Sequence, residues 1–143
     1  MKLRKGEWAI AIFTALYVIG FGIYYLIVRN YEFIWYVAIL IFFALLVALT
    51  LRKSNFDYFI LWGLSIWGLM HMAGGNIPVE TGVLYSWKII PLYVTNDFFV
   101  LKYDQVVHFF GFGVTTFVAY HLLKPYLNKR VNYKVLYPGL VLI

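Results

Sequence analysis

Cysteine is absent from the chain, which excludes disulfides and thiolate metal sites and leaves no trace of a redox compartment. Charge is nearly as scarce. Charged residues make up 13% and apolar residues 64% of the sequence, where soluble domains carry about a quarter and about half respectively. An ordinary soluble domain is therefore excluded, and lipid has to act as the main solvent. The sequence also lacks a P-loop, a dinucleotide fingerprint, a nucleophile elbow and a His-Glu-x-x-His zinc pattern. No internal repeat or composition break divides it, so residues 1–143 read as a single transmembrane domain.

What is present falls in blocks. Trp8–Val28, Phe33–Leu51 and Tyr58–Gly75 carry no Asp, Glu, Lys or Arg, and each approaches the ~20 residues a helix needs to cross hydrocarbon. Gln105–Leu123 is charged only through its histidines and follows Asp104 directly, a fourth span with a polar start. A fifth begins near residue 134 and reaches Ile143 too soon to cross, so the sequence reads as cut within a helix. The expected fold is all-α: a polytopic transmembrane helix bundle with helices at about 8–28, 33–51, 58–75 and 105–123. A truncated fifth covers 134–143, and a loop covers 76–103. The leading Met-Lys-Leu-Arg-Lys resembles a secretory n-region, but the following run exceeds a signal-peptide core of about 7–15 residues and lacks a small-x-small cleavage site. It reads as a retained first span.

Orientation follows from the basic residues. With the N-terminus cytoplasmic, Lys2, Arg4, Lys5, Arg52, Lys53, Lys124, Lys129, Arg130 and Lys134 lie inside and only Arg29, Lys88 and Lys102 outside, nine and three of the 12. That is a positive-inside bias. The net charge of +6 thus belongs to topology and contact with anionic lipid; membrane lipids are the expected partners, nucleic acid is not, and a homo-oligomer is compatible with the composition. The loop 76–103 then lies outside, long enough to carry function or partial order, and its segment Trp87–Val94 fits an interfacial stretch lying over the helix ends.

Two polar clusters interrupt the apolar pattern, His71-Met-Ala-Gly74-Gly75 and Tyr103-Asp104-Gln-Val-Val-His108-Phe-Phe-Gly111. Ionisable groups near a bilayer core are costly and are kept where they pair, cap a helix or act. Asp104 and His108 are four apart, one helical turn, so the carboxylate can orient or charge the imidazole. Gly111 and Thr115 continue that face, whose small residues point it into the bundle. His71 stands one turn before a glycine pair suited to a left-handed helix end. Aligning the outer ends of the third and fourth helices brings His71, Asp104 and His108 into one pocket.

Structural roles compete with this reading. Asp104 is a good N-cap for the fourth helix, and His71 can bond orphan carbonyls at its helix end. His121 points to another side of its helix, near Lys124 and Pro125, and reads as interfacial. Trp8, Tyr24, Tyr25, Tyr31, Trp35, Tyr36, Tyr85, Trp87 and Tyr103 fit an aromatic belt, and Gly20, Gly22, Gly63 and Gly68 fit helix-packing notches. Two histidines and a carboxylate match no strong metal motif, so neither metal nor cofactor is assigned.

The paired motifs His71-Met-Ala-Gly-Gly-Asn76 and Tyr103-Asp104-Gln-Val-Val-His108-Phe-Phe-Gly-Phe resemble the YjdF-type family of bacterial and archaeal inner-membrane proteins. That family is similar to VanZ-like proteins, which share Asp-x-x-x-His-Phe at the start of a transmembrane helix. Gln105 and Phe110 depart from the pattern, where the family carries a basic residue and a glutamine. The family also continues into further helices with acidic residues, which here would follow Ile143. The resemblance implies a cytoplasmic-membrane protein with an envelope role, VanZ-like proteins being linked to teicoplanin resistance, and does not name a reaction.

The expected function is binding or modification of a lipid head group or lipid-linked phosphate at the extracytoplasmic face. In an enzyme His108 transfers the proton, Asp104 orients it, and His71 holds the anion or a metal. The alternative is a non-enzymatic envelope-protection or assembly protein in which the trio is polar glue. A transporter is disfavoured, because no charge occupies mid-membrane and no inverted repeat shows.

Overall fold

The structure, a computed structural model, describes residues 3–80, 82–90 and 101–127. Four α-helices make up most of them: α1 (Lys5–Ile27), α2 (Tyr31–Ser54), α3 (Tyr58–Gly74) and α4 (Tyr103–Leu123). Each begins where a side chain takes up an orphan backbone N–H. Helix α1 starts ahead of the expected Trp8 because the Glu7 carboxylate turns back to accept from the Arg4 backbone N–H at 2.7 Å and from its guanidinium at 2.6 Å. The Asn30 side chain accepts from the Phe33 N–H to open α2, and Asp57 accepts from the Ile60 N–H at 2.9 Å to open α3. At α4 the cap is Lys102, whose N–H donates to Gln105 Oε1 at 2.8 Å.

Three helices are long and apolar enough to cross a membrane: α1, α2, and α4 with its 3₁₀ extension Lys124–Tyr126. The expected third span is the exception. Asp57 and Gly75 confine α3 to 17 residues, about 25 Å at ~1.5 Å per residue, against a hydrocarbon core of about 30 Å. It is nonetheless the centre of the bundle, packing against α1 and α4, with Ile60, Leu61, Gly63, Ser65, Gly68, Met72 and Gly74 buried. Helix α2, by contrast, packs mainly on α1 and buries nothing along its most apolar stretch. Such a helix has the burial pattern of one solvated by lipid. The expected fifth helix, 134–143, lies outside the described residues.

The helices gather into two ends. At one, Arg4 Nη2 donates to Phe56 O at 3.0 Å, the Arg4 guanidinium lies 4.8 Å from the Tyr58 ring centre, and His121 Nε2 donates to Ser54 O at 2.8 Å. At the other, the Tyr25 hydroxyl donates to Met72 O at 2.7 Å and Asn30 Nδ2 donates to Asn76 Oδ1 at 3.4 Å. Midway, the Thr14 and Ser65 hydroxyls meet at 2.6 Å, a further polar link between α1 and α3.

The segment between α3 and α4 corrects the all-α expectation. Strands β1 (Pro78–Val79) and β2 (Gly82–Val83) pair antiparallel, a 3₁₀ turn follows at Leu84–Ser86, and β3 (Lys88–Ile90) pairs with β4 (Leu101–Lys102). Gly82 adopts φ 121°, a region that glycine alone enters readily. The expected interfacial stretch is therefore, over Lys88–Ile90, a strand held by the start of α4; residues 91–100 are outside the described residues. Paired backbone satisfies its own polar groups where water is scarce, which an irregular loop does not.

Glycines set how closely the helices approach. The Gly74-Gly75 pair does not form the expected left-handed end, since Gly75 has φ −81° and ψ −10°. A side chain at Gly74 would overlap the Tyr85 ring, and one at Gly75 the Phe33 ring. Gly63 meets Val114 and Gly68 meets Tyr17 and Leu40, while Gly20 faces open space and is no packing notch. Between α3 and α4 the Trp67 indole lies against Gly111, where an added side chain would overlap it. Gly111→Ala is expected to destabilise the protein in detergent by about 1–3 kcal/mol through overpacking. Gly113→Ala, which meets nothing within 4 Å, is expected to hold or raise the thermal midpoint; equal midpoints for the two variants would refute this account of the contact.

Candidate functional site

Packing of Trp67 on Gly111 has a direct consequence one turn along each helix. His71 follows Trp67 by four residues and His108 precedes Gly111 by three, so both imidazoles come to the same end of the α3–α4 contact. Their ring centres are 5.9 Å apart and nearly perpendicular. The Trp67 ring is edge-on to His71 at 5.3 Å. Its Nε1 is buried without a partner among the described residues.

Asp104 is not the expected N-cap. It stands in the first turn of α4, where its charge still suits the positive helix end, and its Oδ1 lies 3.1 Å from His108 Nδ1. The Asp104 carbonyl is 2.8 Å from the same nitrogen. Both contacts are met when Nδ1 carries the proton, which makes Nε2 the basic nitrogen of a neutral His108. The pair is not buried: His108 is 54% and Asp104 47% exposed along the side chain. Of the residues expected to turn that face inward, Gly111 is buried but Thr115 is exposed.

His71 does not bond the end carbonyls of its own helix. Its Nδ1 is 2.6 Å from the Tyr85 hydroxyl, which itself donates to His71 O at 3.1 Å. The two contacts are compatible if Nδ1–H donates to the phenol oxygen, again leaving Nε2 as the second nitrogen. Neither Nε2 has a hydrogen-bond partner among the described residues. His71, Asp104 and His108 line a single pocket of about 290 Å³ with Phe33, Tyr36, Met72 and Tyr85. Helix α3 forms its floor, α2 and α4 its sides, and the Leu84–Ser86 turn one wall. It presents two imidazoles and a carboxylate to an otherwise apolar space, a set able to hold a proton or an anionic group. No cluster of three or more His, Cys, Asp or Glu side chains among the described residues is arranged to hold a metal ion.

Tyr85 is the residue that the sequence did not single out. It reads there as one aromatic of an interfacial belt, and no helical or strand spacing connects it to His71. Its position depends on the two short ladders and on Gly74, over which its ring lies. Burial pushes the Tyr85 hydroxyl well above the usual phenol range, and the Asp104 charge adds to the effect. His121, expected at the interface, donates to Ser54 O at the end of α2, with the Phe56 ring 5.4 Å away. It stands at the opposite end of the bundle from the pocket.

No family model, curated protein or solved structure matches the chain.

The shifted hydroxyl has a measurable consequence. A phenol whose folded value is raised above its unfolded value stabilises the fold fully below about pH 10, and that contribution is lost as pH rises through the folded value. Thermal midpoints of wild type and Tyr85→Phe in detergent are expected to converge as pH rises from 9 toward 12, with the wild type losing more. A constant difference across that range would show that the hydroxyl is not buried as described.

Proposed function

We propose that the chain is a multi-pass protein of a bacterial or archaeal cytoplasmic membrane, with the N-terminus inside, whose His71–Asp104–His108 pocket binds or modifies a phosphate-bearing lipid head group at the outer face. Three helices of spanning length and composition support the membrane placement. In this reading α3 also crosses, because its two ends sit at the two ends of the bundle with those of α1. The described charges favour the orientation: Arg4, Lys5, Arg52, Lys53 and Lys124 stand at the end away from the pocket, and Arg29, Lys88 and Lys102 at the pocket end. The YjdF-type and VanZ-like resemblance of the two motifs agrees with an envelope role and belongs to the same proposal.

The observation that carries the reading is that three polar residues from two distant motifs line one pocket and leave two imidazole Nε2 atoms without partners among the described residues. Protonated, the two Nε2–H groups donate to phosphate oxygens; neutral, either accepts a proton. His108 is the proton-transfer residue in an enzyme of this kind, Asp104 holds its Nδ1 side, and His71 binds the anion. The Tyr85 contact fixes His71 in place.

The second reading, a non-enzymatic envelope-protection or assembly protein, draws on the Tyr85–His71 link, which ties the segment after α3 to the bundle as polar glue does. The exposure of Asp104 and His108 counts against glue for that pair, since little packing depends on them.

Native mass spectrometry in mild detergent separates the two. A phospholipid adduct is expected on the wild type, with occupancy reduced about tenfold or more in His108→Ala, a loss of ~1.4 kcal/mol or more of binding. The thermal midpoint is expected to move by less than about 2 °C, as for an exposed side chain. Equal adducts together with a sharply lower midpoint would overturn the pocket in favour of the structural role.

A further inference from the structure

The pocket takes its lining from α2, α3, α4 and the Leu84–Ser86 turn. Its sides are α2 and α4, which flank α3 without substantial packing on each other among the described residues. Below the pocket, the faces of these helices can be followed by helical spacing. On α4, Phe112 comes one turn after His108 and Thr115 two turns after; both are exposed, Phe112 by 61%. Thr115 does not make this stripe polar, because its hydroxyl donates to Gly111 O at 2.9 Å. On α2, Phe43 comes two turns after the pocket residue Tyr36 and is 54% exposed. This spacing implies an apolar trough between α2 and α4 that begins at the imidazoles and runs along the segments whose composition suits hydrocarbon.

Resting on the reading of the pocket as an anion site, we propose that its ligand is a two-part membrane amphiphile that arrives sideways from the bilayer. The phosphate lies against His71 and His108, and an acyl chain lies in the trough between Tyr36–Phe43 and His108–Thr115. Charge and apolarity are arranged in the order a lipid requires. Phosphate oxygens meet the two imidazoles at the helix ends, where water is near, and the chain meets aromatic and aliphatic surface deeper in the membrane, where each methylene kept from water favours binding by about 0.8 kcal/mol. A free phosphate uses only the first half of this arrangement. The trough commits the site to a lipid from the same leaflet.

The absence of cysteine makes the test direct. Thr115→Cys places a single thiol in the trough, and Phe109→Cys places one on another face of α4, where Phe109 is 82% exposed. Each variant is labelled with pyrene maleimide and, as a size control, with methyl methanethiosulfonate. Occupancy by dioleoyl phosphatidic acid is then read by native mass spectrometry beside wild type and His108→Ala, with inorganic phosphate as competitor. The expected result is that the pyrene label at position 115 lowers lipid occupancy at least about tenfold, a difference of ~1.4 kcal/mol. Either label at position 109 leaves it unchanged, the small label at 115 lowers it less than pyrene does, and millimolar phosphate displaces little lipid. Lipid occupancy that depends on His108 but ignores the label at 115 overturns the trough and leaves the anion pocket standing. Phosphate that displaces the lipid at comparable concentration overturns the amphiphile and assigns the pocket to a soluble anion. Occupancy independent of both His108 and the label overturns the pocket reading and this inference together.

Discussion

The contact on which the site depends is the seating of the Trp67 indole against the Gly111 backbone. Apolar helices in lipid gain little from burying apolar surface against each other, so their association rests on close packing, which small residues permit. Gly111 gives α4 a flat surface at the level where α3 presents the Trp67 indole. That seating fixes the distance between the helices one turn from their ends. His71 and His108, standing on that turn, thereby face each other across 5.9 Å. Gly74 and Gly75 repeat the device above it, admitting the Tyr85 and Phe33 rings that complete the pocket wall.

The two ends of the bundle use similar residues for different purposes. At the far end the hydrogen bonds of the described ionisable side chains close helix ends. Glu7 accepts from the backbone and guanidinium of Arg4, Arg4 donates to Phe56 O, and His121 donates to Ser54 O. Those bonds satisfy helix termini that lipid cannot satisfy. At the pocket end, helix starts are capped by Asn30 and Gln105 instead. Asp104 and the two histidines are thus left out of capping. Among the described residues this division leaves side chains outside capping at the pocket end, and it distinguishes His108 from His121, which sit on the same helix 13 residues apart.

The segment between α3 and α4 connects the two motifs physically. Its antiparallel pairs are only two or three residues long, too short to stand alone, and they are supported by the helix ends they touch. Tyr103 N–H donates to Trp87 O at 3.0 Å, so the last strand runs directly into α4. This is how a tyrosine 14 residues beyond His71 comes back to within 2.6 Å of it. Sequence separation gave no hint of that return.

Much of the architecture was legible in the chain because lipid imposes a simple rule: a helix that crosses must be long, uncharged and self-satisfied in its backbone. Composition alone excluded a soluble domain, and charge-free runs marked all four described helices to within a few residues. The i, i+4 spacing of Asp104 and His108 placed them within reach, since a helix repeats its face every turn. Other features needed tertiary structure. The starts of α1 and α4 moved because Glu7 and Gln105 fold back on the chain, and α3 proved short because its own ends stop it. Two short strand pairs arose where only a loop was expected. The joining of His71 to His108 by ring contact and the recruitment of Tyr85 follow from distances between helices. Those distances are set by which large side chain meets which glycine, and periodicity along one strand of sequence carries no information about the partner it will meet.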